Sequence, residues 1–163
     1  MTPVSSSTNL VARLLKLIGR RENGPSERLK ELLKTCDKDH RDKLEARFNE
    51  MGKMFLAKYT KPNTDHPGSH ESIAKMRLRS GEILAYKILE AILFREKSKN
   101  KAWSSLLEQN MFHRVLFACC LEIVIFSYNS PSRTFPWILN TLELKDYDFY
   151  KVRVLNLGLF CQI

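Results

Sequence analysis

At 163 residues the chain has room for one domain with a modest core. Hydrophobic content of 44% with 28% charged residues excludes a disordered chain on composition. The net charge of +9 favours acidic partners or nucleic acid without choosing between them, and a solvated basic surface explains it as well. No run is expected to reach the roughly 18 apolar residues of a membrane helix. Val115–Tyr128 comes nearest, but Cys119, Cys120, Glu122 and Ser127 interrupt it, so it reads as a buried core helix. The N-terminus lacks a basic stretch followed by an apolar one, so no signal peptide is expected. Four cysteines without regular spacing fit a reducing compartment rather than a disulfide framework.

In chain order, residues 9–20 place Leu10, Val11, Leu14, Leu15 and Ile18 on one helical face, with cap candidates in Ser5–Thr8 and Gly19 near the end. Residues 25–36 repeat the pattern, with Ser26 as the N-cap and Leu29, Leu32 and Leu33 as the stripe. Residues 39–59 carry Leu44, Phe48, Met51, Met54, Phe55 and Ala57 at helical intervals. Pro62, Asn63, Pro67 and Gly68 break the pattern over 61–69. Residues 72–97 form a long amphipathic helix. Ile73, Met76, Leu78, Ile83, Leu84, Ile88, Leu89, Ile92 and Leu93 pack one side, and Lys75, Arg77, Arg79, Lys87 and Glu90 mark the others.

A basic loop over 98–101 leads to a short helix over 103–109. Residues 111–126 are apolar nearly all round and predict the central buried helix. A turn-rich loop over 127–134 contains Ser130-Pro131. Pro136 suits the first turn of a short helix to Thr141, and another helix begins at Asp146. The β-branched residues fall on helical periods, so the fold class is all-α.

No constellation for catalysis stands out. There is no Gly-x-Ser-x-Gly elbow, phosphate loop or His-Glu-x-x-His, and six glycines leave few cradling loops. An enzyme is not expected, nor is a cofactor or a metal. Cys119 and Cys120 are adjacent and face different sides of a helix, so with His113 they read as buried apolar cysteines. Cys36 with His40 and His66 with His70 share one-turn spacing without further ligands, and read as surface residues. Glu122 beside a core stripe is expected to hydrogen-bond or ion-pair. Phe135, Trp137, Phe149 and Tyr150 read as core before they read as a ligand platform. The basic positions of the long helix suit phosphates or an acidic peptide, but no recognition helix or RNA-binding signature favours direct sequence-specific DNA binding.

The blocks Leu106-Leu107, Met111-Phe112-His113, Ala118-Cys119-Cys120-Leu121-Glu122, Phe135-Pro136-Trp137-Ile138 and Phe149-Tyr150-Lys151-Val152 occur in the same order in the A box of the retinoblastoma pocket proteins, which this chain resembles. Thr2-Pro3-Val4 resembles the start of that box. Pro67-Gly68-Ser69-His70, Glu82-Ile83-Leu84, the run from Tyr86 to Glu90 and the short Ser130–Thr134 loop resemble the retinoblastoma-like relatives more than retinoblastoma itself.

The resemblance implies a cyclin-like helical bundle and a nuclear transcriptional corepressor module that regulates the cell cycle. Its implied partners are the acidic activation segments of cell-cycle transcription factors, held between the A box and a B box, and chromatin-modifying corepressors bound through the full pocket. No membrane partner is implied. Lys75, Arg77, Arg79, Lys87 and Glu90 are the candidate partner-binding residues, and Ser130, followed by Pro131 and Arg133, is the candidate phosphorylation site. The chain contains no B box. Residues 1–152 are expected to be an A box incomplete at its C-terminus, and 153–163 a non-family tail of the kind that read-through into an intron after Lys151 would encode. The alternatives are a truncated product without independent binding and a basic helical nucleic-acid-binding domain.

Overall fold

A computed structural model describes residues 3–36, 40–62, 68–99, 103–128, 133 and 135–150. Among these residues the chain is all-helical. The helices are α1 (Pro3–Ile18), α2 (Glu27–Lys34), α3 (Arg41–Tyr59), α4 (Glu71–Ser98), α5 (Ser105–Glu108), α6 (Asn110–Ser127) and α7 (Phe135–Thr141). Residues 146–150 are helical as well.

The local signals place most of these elements. Ser26 is the N-cap of α2, its hydroxyl accepting from the Leu29 amide at 3.1 Å. A cap of this kind contributes about 1 kcal/mol. Gly19 ends α1 with a left-handed backbone, φ 60°. The start of α1 differs from expectation. It lies at Pro3 and not at Asn9, so Ser5–Thr8 are helical residues rather than caps. Proline is well suited to a first helical turn, which leaves the Ser/Thr run free to continue the helix.

The hub is α6, which packs against α1, α3, α4, α5 and α7. Phe112, Val115, Leu116, Phe117, Ala118, Cys120, Leu121, Val124 and Ile125 are all buried. Contrary to the sequence expectation, α6 is long and apolar enough to cross a membrane by length and composition alone. Here that apolarity is spent on contacts with the helices around it. Phe126 is the exception to its buried character, 65% exposed at the C-terminal end.

α4 and α6 approach each other tightly at Gly81. A Cβ at Gly81 would lie 2.6 Å from Leu121 Cδ2, well inside van der Waals contact. Gly52 on α3 sits against Leu78 of α4 in the same manner, at 3.2 Å. Aromatic rings fill the space between α3 and its neighbours. Phe48 meets Tyr86 edge-on at 5.1 Å and Phe117 at 5.0 Å, and Phe55 stacks on Tyr59 at 4.9 Å.

Several residues sit elsewhere than the periodicity placed them. Ile73 and Met76 are 42% and 63% exposed, because the core stripe of α4 runs through Ala74, Leu78, Gly81 and Ala85. At about 100° per residue, Ile73 and Met76 fall off that stripe. Ala57 is exposed on α3. Tyr150 is also exposed, whereas Phe135, Trp137 and Phe149 pack partly buried against the core. Cys36 and His40 do not lie on the surface. His40 is buried at the start of α3 and Cys36 is half-buried. The residues 63–67, 129–132 and 134 of the two expected loops, with His66 and Ser130, lie outside the described residues.

Because Gly81 admits Leu121, changing either side of that contact is expected to destabilise the fold. Gly81→Val is expected to cost roughly 1–3 kcal/mol by overpacking. Leu121→Asp is expected to cost more, since it buries an unpaired charge. Thermal unfolding followed by circular dichroism measures both. An unchanged melting temperature for either variant would contradict this packing.

Candidate protein-binding surface

The five candidate residues of α4 are separated by the fold. Lys75 is exposed and pairs with Glu71 at 2.6 Å, one helical turn away. Such an exposed pair contributes little, so its ammonium remains open to exchange with another anion. Arg79 is exposed and makes no ion pair among the described residues. The guanidinium of Arg77 instead lies 3.2 Å over the Tyr128 ring, tying the start of α4 to the end of α6.

Lys87 and Glu90 face inward. The Lys87 ammonium donates to the Leu17 carbonyl at 2.5 Å, satisfying an acceptor in the last turn of α1. Glu90 is buried, and its Oε2 accepts from Arg21 at 3.1 Å and from the Ser26 hydroxyl at 3.0 Å. Ser26 thus caps α2 and binds the α4 carboxylate at once. Burial is tolerable for this charge because it is paired and hydrogen-bonded. The sequence expectation that Glu90 marks an outer side of α4 is therefore corrected. It fastens the α1–α2 connection to α4, and Lys87 fastens the end of α1.

That connection borders a cavity of about 410 Å³, whose lining includes Arg21, Glu22, Glu27, Lys30, Arg41 and Glu45. Acids and bases there balance, and Arg41 pairs with Glu45 at 2.9 Å. A neighbouring cleft holds Glu82 and Tyr86. Burial raises the Glu82 carboxyl above its ordinary range, partly offset by the hydrogen bond from Asn23 at 2.6 Å. Burial likewise raises the Tyr86 phenol. A third cavity, of about 340 Å³, lies between the end of α3 and α7 and is lined by Lys58, Lys61, Pro62, Trp137, Asn140 and Thr141.

Cys119, Cys120 and His113 belong to the core. Cys120 is fully enclosed and its thiol is pushed well up by burial, which keeps it protonated and inert. His113 is also buried, and the Arg47 guanidinium donates to its Nδ1 at 2.6 Å. Burial first, and then the Arg47 charge, lower its pKa to about 4. The exposed His70 is the N-cap of α4, its Nδ1 accepting from the Ser72 amide at 3.2 Å. Glu122 departs from expectation, for its Oε2 is buried with no hydrogen-bond partner, and burial raises its pKa. Arg133 is 4% exposed, stacks 3.7 Å over Tyr59, and donates to the Tyr59 carbonyl at 2.9 Å and the Ser69 hydroxyl at 3.1 Å. The basic residue of the Ser130 motif is therefore anchored inside the fold.

A family model for the retinoblastoma-associated protein A domain matches residues 2–154. The chain belongs to the retinoblastoma-associated A-domain family. It is 42% identical to human retinoblastoma-like protein 1 over 154 residues, 93% of this chain and 14% of that protein. It is 37% identical to human retinoblastoma-like protein 2 over the same length, covering 13% of that protein. A more distant relative is the maize retinoblastoma-related protein 2, at 26% identity over 163 residues and 19% of that protein. The chain thus spans a small part of the length of the curated relatives it matches. The retinoblastoma A domain is a cyclin-fold helical domain, in agreement with the helical bundle described above.

What the sequence missed in this A domain are residues that act across long separations. Arg21 and Ser26 meet Glu90, and Lys58 and Lys61 line one cavity with Trp137, in each case through elements distant along the chain.

The depressed pKa of His113 makes stability depend on pH. Between about pH 4 and 6.5 the unfolded chain binds a proton at this histidine that the folded chain does not, so stability rises with pH across that window and is lost as pH falls through it. The loss is expected to approach roughly 3 kcal/mol at the acid end. Urea unfolding of the wild type and of His113→Gln at pH 7 and pH 4.5 measures it. The wild type should lose more stability than the variant, and equal losses would contradict the assignment.

Proposed function

We propose that this chain is the A-box part of a pocket-type protein-binding module in a nuclear transcriptional corepressor of the cell cycle. It acts as a binding protein and not as an enzyme. The observation that carries the reading is the family match over residues 2–154, together with the similarity to two retinoblastoma-like proteins. The partners proposed are acidic activation segments of cell-cycle transcription factors. A B box completes the groove, and chromatin-modifying corepressors bind the full pocket. In this proposal residues 1–152 are the A box and 153–163 a tail, of which the family match takes in only residues 153 and 154.

The physical support is the division of labour on α4. Glu90, Lys87 and Arg77 fasten the bundle, while Lys75 and Arg79 remain exposed. Beside them Ile73 and Met76 are exposed as well. Cations next to apolar side chains suit an amphipathic acidic helix or strand, whose approach they steer and whose apolar residues they flank. Ser130 is proposed as a phosphoacceptor on the strength of Ser130-Pro131 alone, since Arg133 is engaged with Tyr59 and Ser69.

Binding of an acidic activation peptide tests the reading, using the whole chain with the B box of retinoblastoma-like protein 1 supplied in trans. The double substitution Lys75→Glu, Arg79→Glu is expected to weaken binding by roughly tenfold or more at low salt, the loss shrinking as salt rises. Lys87→Glu is expected to lower the melting temperature as well, because it removes the donor to Leu17. Unchanged affinity and salt dependence in the double variant would leave this face merely solvated.

A further inference from the structure

The cavity between the C-terminal end of α3 and α7 is unlike the others described. Among the described residues its lining of Lys58, Lys61, Pro62, Trp137, Asn140 and Thr141 contains two cations and no carboxylate. Neither lysine makes an ion pair or hydrogen bond among the described residues, and both are exposed. Asn140 and Thr141 add neutral polar side chains to the lining. The larger cavity at the α1–α2 connection sets its bases against Glu22, Glu27 and Glu45 and offers no such excess.

The floor of the site is aromatic and packed against α3. Trp137 is held edge-on by Phe55 at 6.1 Å and by Tyr59 at 6.0 Å. Behind them the buried Arg133 guanidinium stacks on Tyr59 and lies 5.7 Å from the Trp137 ring. The indole and the Pro62 ring present apolar surface within a volume of about 340 Å³, in the range that accepts one large side chain with its flanking backbone. The rim is cationic and the floor apolar and aromatic.

We propose that this cavity is a second peptide-binding site, which takes an apolar side chain flanked by carboxylates from a partner protein. The apolar side chain rests on Trp137 and Pro62, and Lys58 and Lys61 meet the flanking acids. The site uses α3 and α7, separate from the exposed basic positions of α4, and does not depend on the function proposed for that face. A peptide fits better than nucleic acid. Two lysines neutralise too few phosphates to hold a strand, and the lining supplies a recess for a side chain rather than an open stacking platform.

The chain carries its own probe, because Trp103 and Trp137 are its tryptophans. In a Trp103→Phe background the emission of Trp137 is followed while the full chain is titrated with an eight-residue peptide of Asp and Glu around one Leu. A saturable change below about 1 mM is expected. Affinity is expected to fall roughly tenfold for Lys58→Ala, Lys61→Ala and for the peptide with Asn and Gln in place of its acids, and to stay the same for Lys75→Glu. Titration calorimetry on the unmodified chain gives the same comparison should Trp103→Phe disturb the fold. No saturable binding, equal affinity in the double lysine variant, or an equal response to duplex DNA or to inorganic phosphate would overturn the proposal.

Discussion

The contact on which the rest of this bundle depends is the approach of α4 to α6 at Gly81 and Leu121. A glycine at this point removes the side chain that would hold the helices apart, and the Leu121 side chain occupies the space. Gly52 does the same for Leu78 on the α3 side of α4. Two small residues thus let α4 lie close to α6 and α3, and the aromatic rings of Phe48, Tyr86 and Phe117 close the gap between the three helices. Dispersion is summed over many such contacts, so tight approach matters more than any one of them.

Once α4 is fixed against the hub, its polar residues divide by where they fall. Those near its middle and C-terminal half meet α1 and the α1–α2 connection. Glu90 gathers Arg21 and Ser26, and Lys87 reaches the end of α1. Arg77 is drawn onto Tyr128. Lys75 and Arg79 lie on the outside near the start of the helix and stay exposed. The basic character of the chain is therefore partly structural. Arg47, half-buried on His113, and Arg133, buried on Tyr59, are further cations engaged within the fold.

The helices were legible because the signals that specify them are local. Ser26 to Leu29 spans one turn, and the apolar spacing of α2, α3 and α6 repeats within each helix. The family resemblance was legible for a similar reason, since its blocks are contiguous. What was not legible depends on pairings across the chain. Glu90 looked like an outer residue because Arg21 and Ser26 lie more than sixty positions away. Arg133 looked available to a kinase because its partner Tyr59 is on α3. His40 and Cys36 were read as surface for want of any local cue to what covers them. Ile73 and Met76 are different. Their angular offset from Ala74 and Leu78 was present in the sequence, and counting every apolar residue toward one face concealed it. The α3–α7 cavity had no sequence signal, because Trp137 read only as core and Lys58 and Lys61 only as solvated charge.

Native-state hydrogen exchange tests most directly whether the α4–α6 contact is the keystone of the fold. The amides of residues 84–93 and 115–125 are predicted to exchange only through global unfolding, with one common free energy, while those of α1 and α7 exchange through smaller openings. Exchange of α6 through local openings as fast as those of α1, with α4 still protected, would contradict the account.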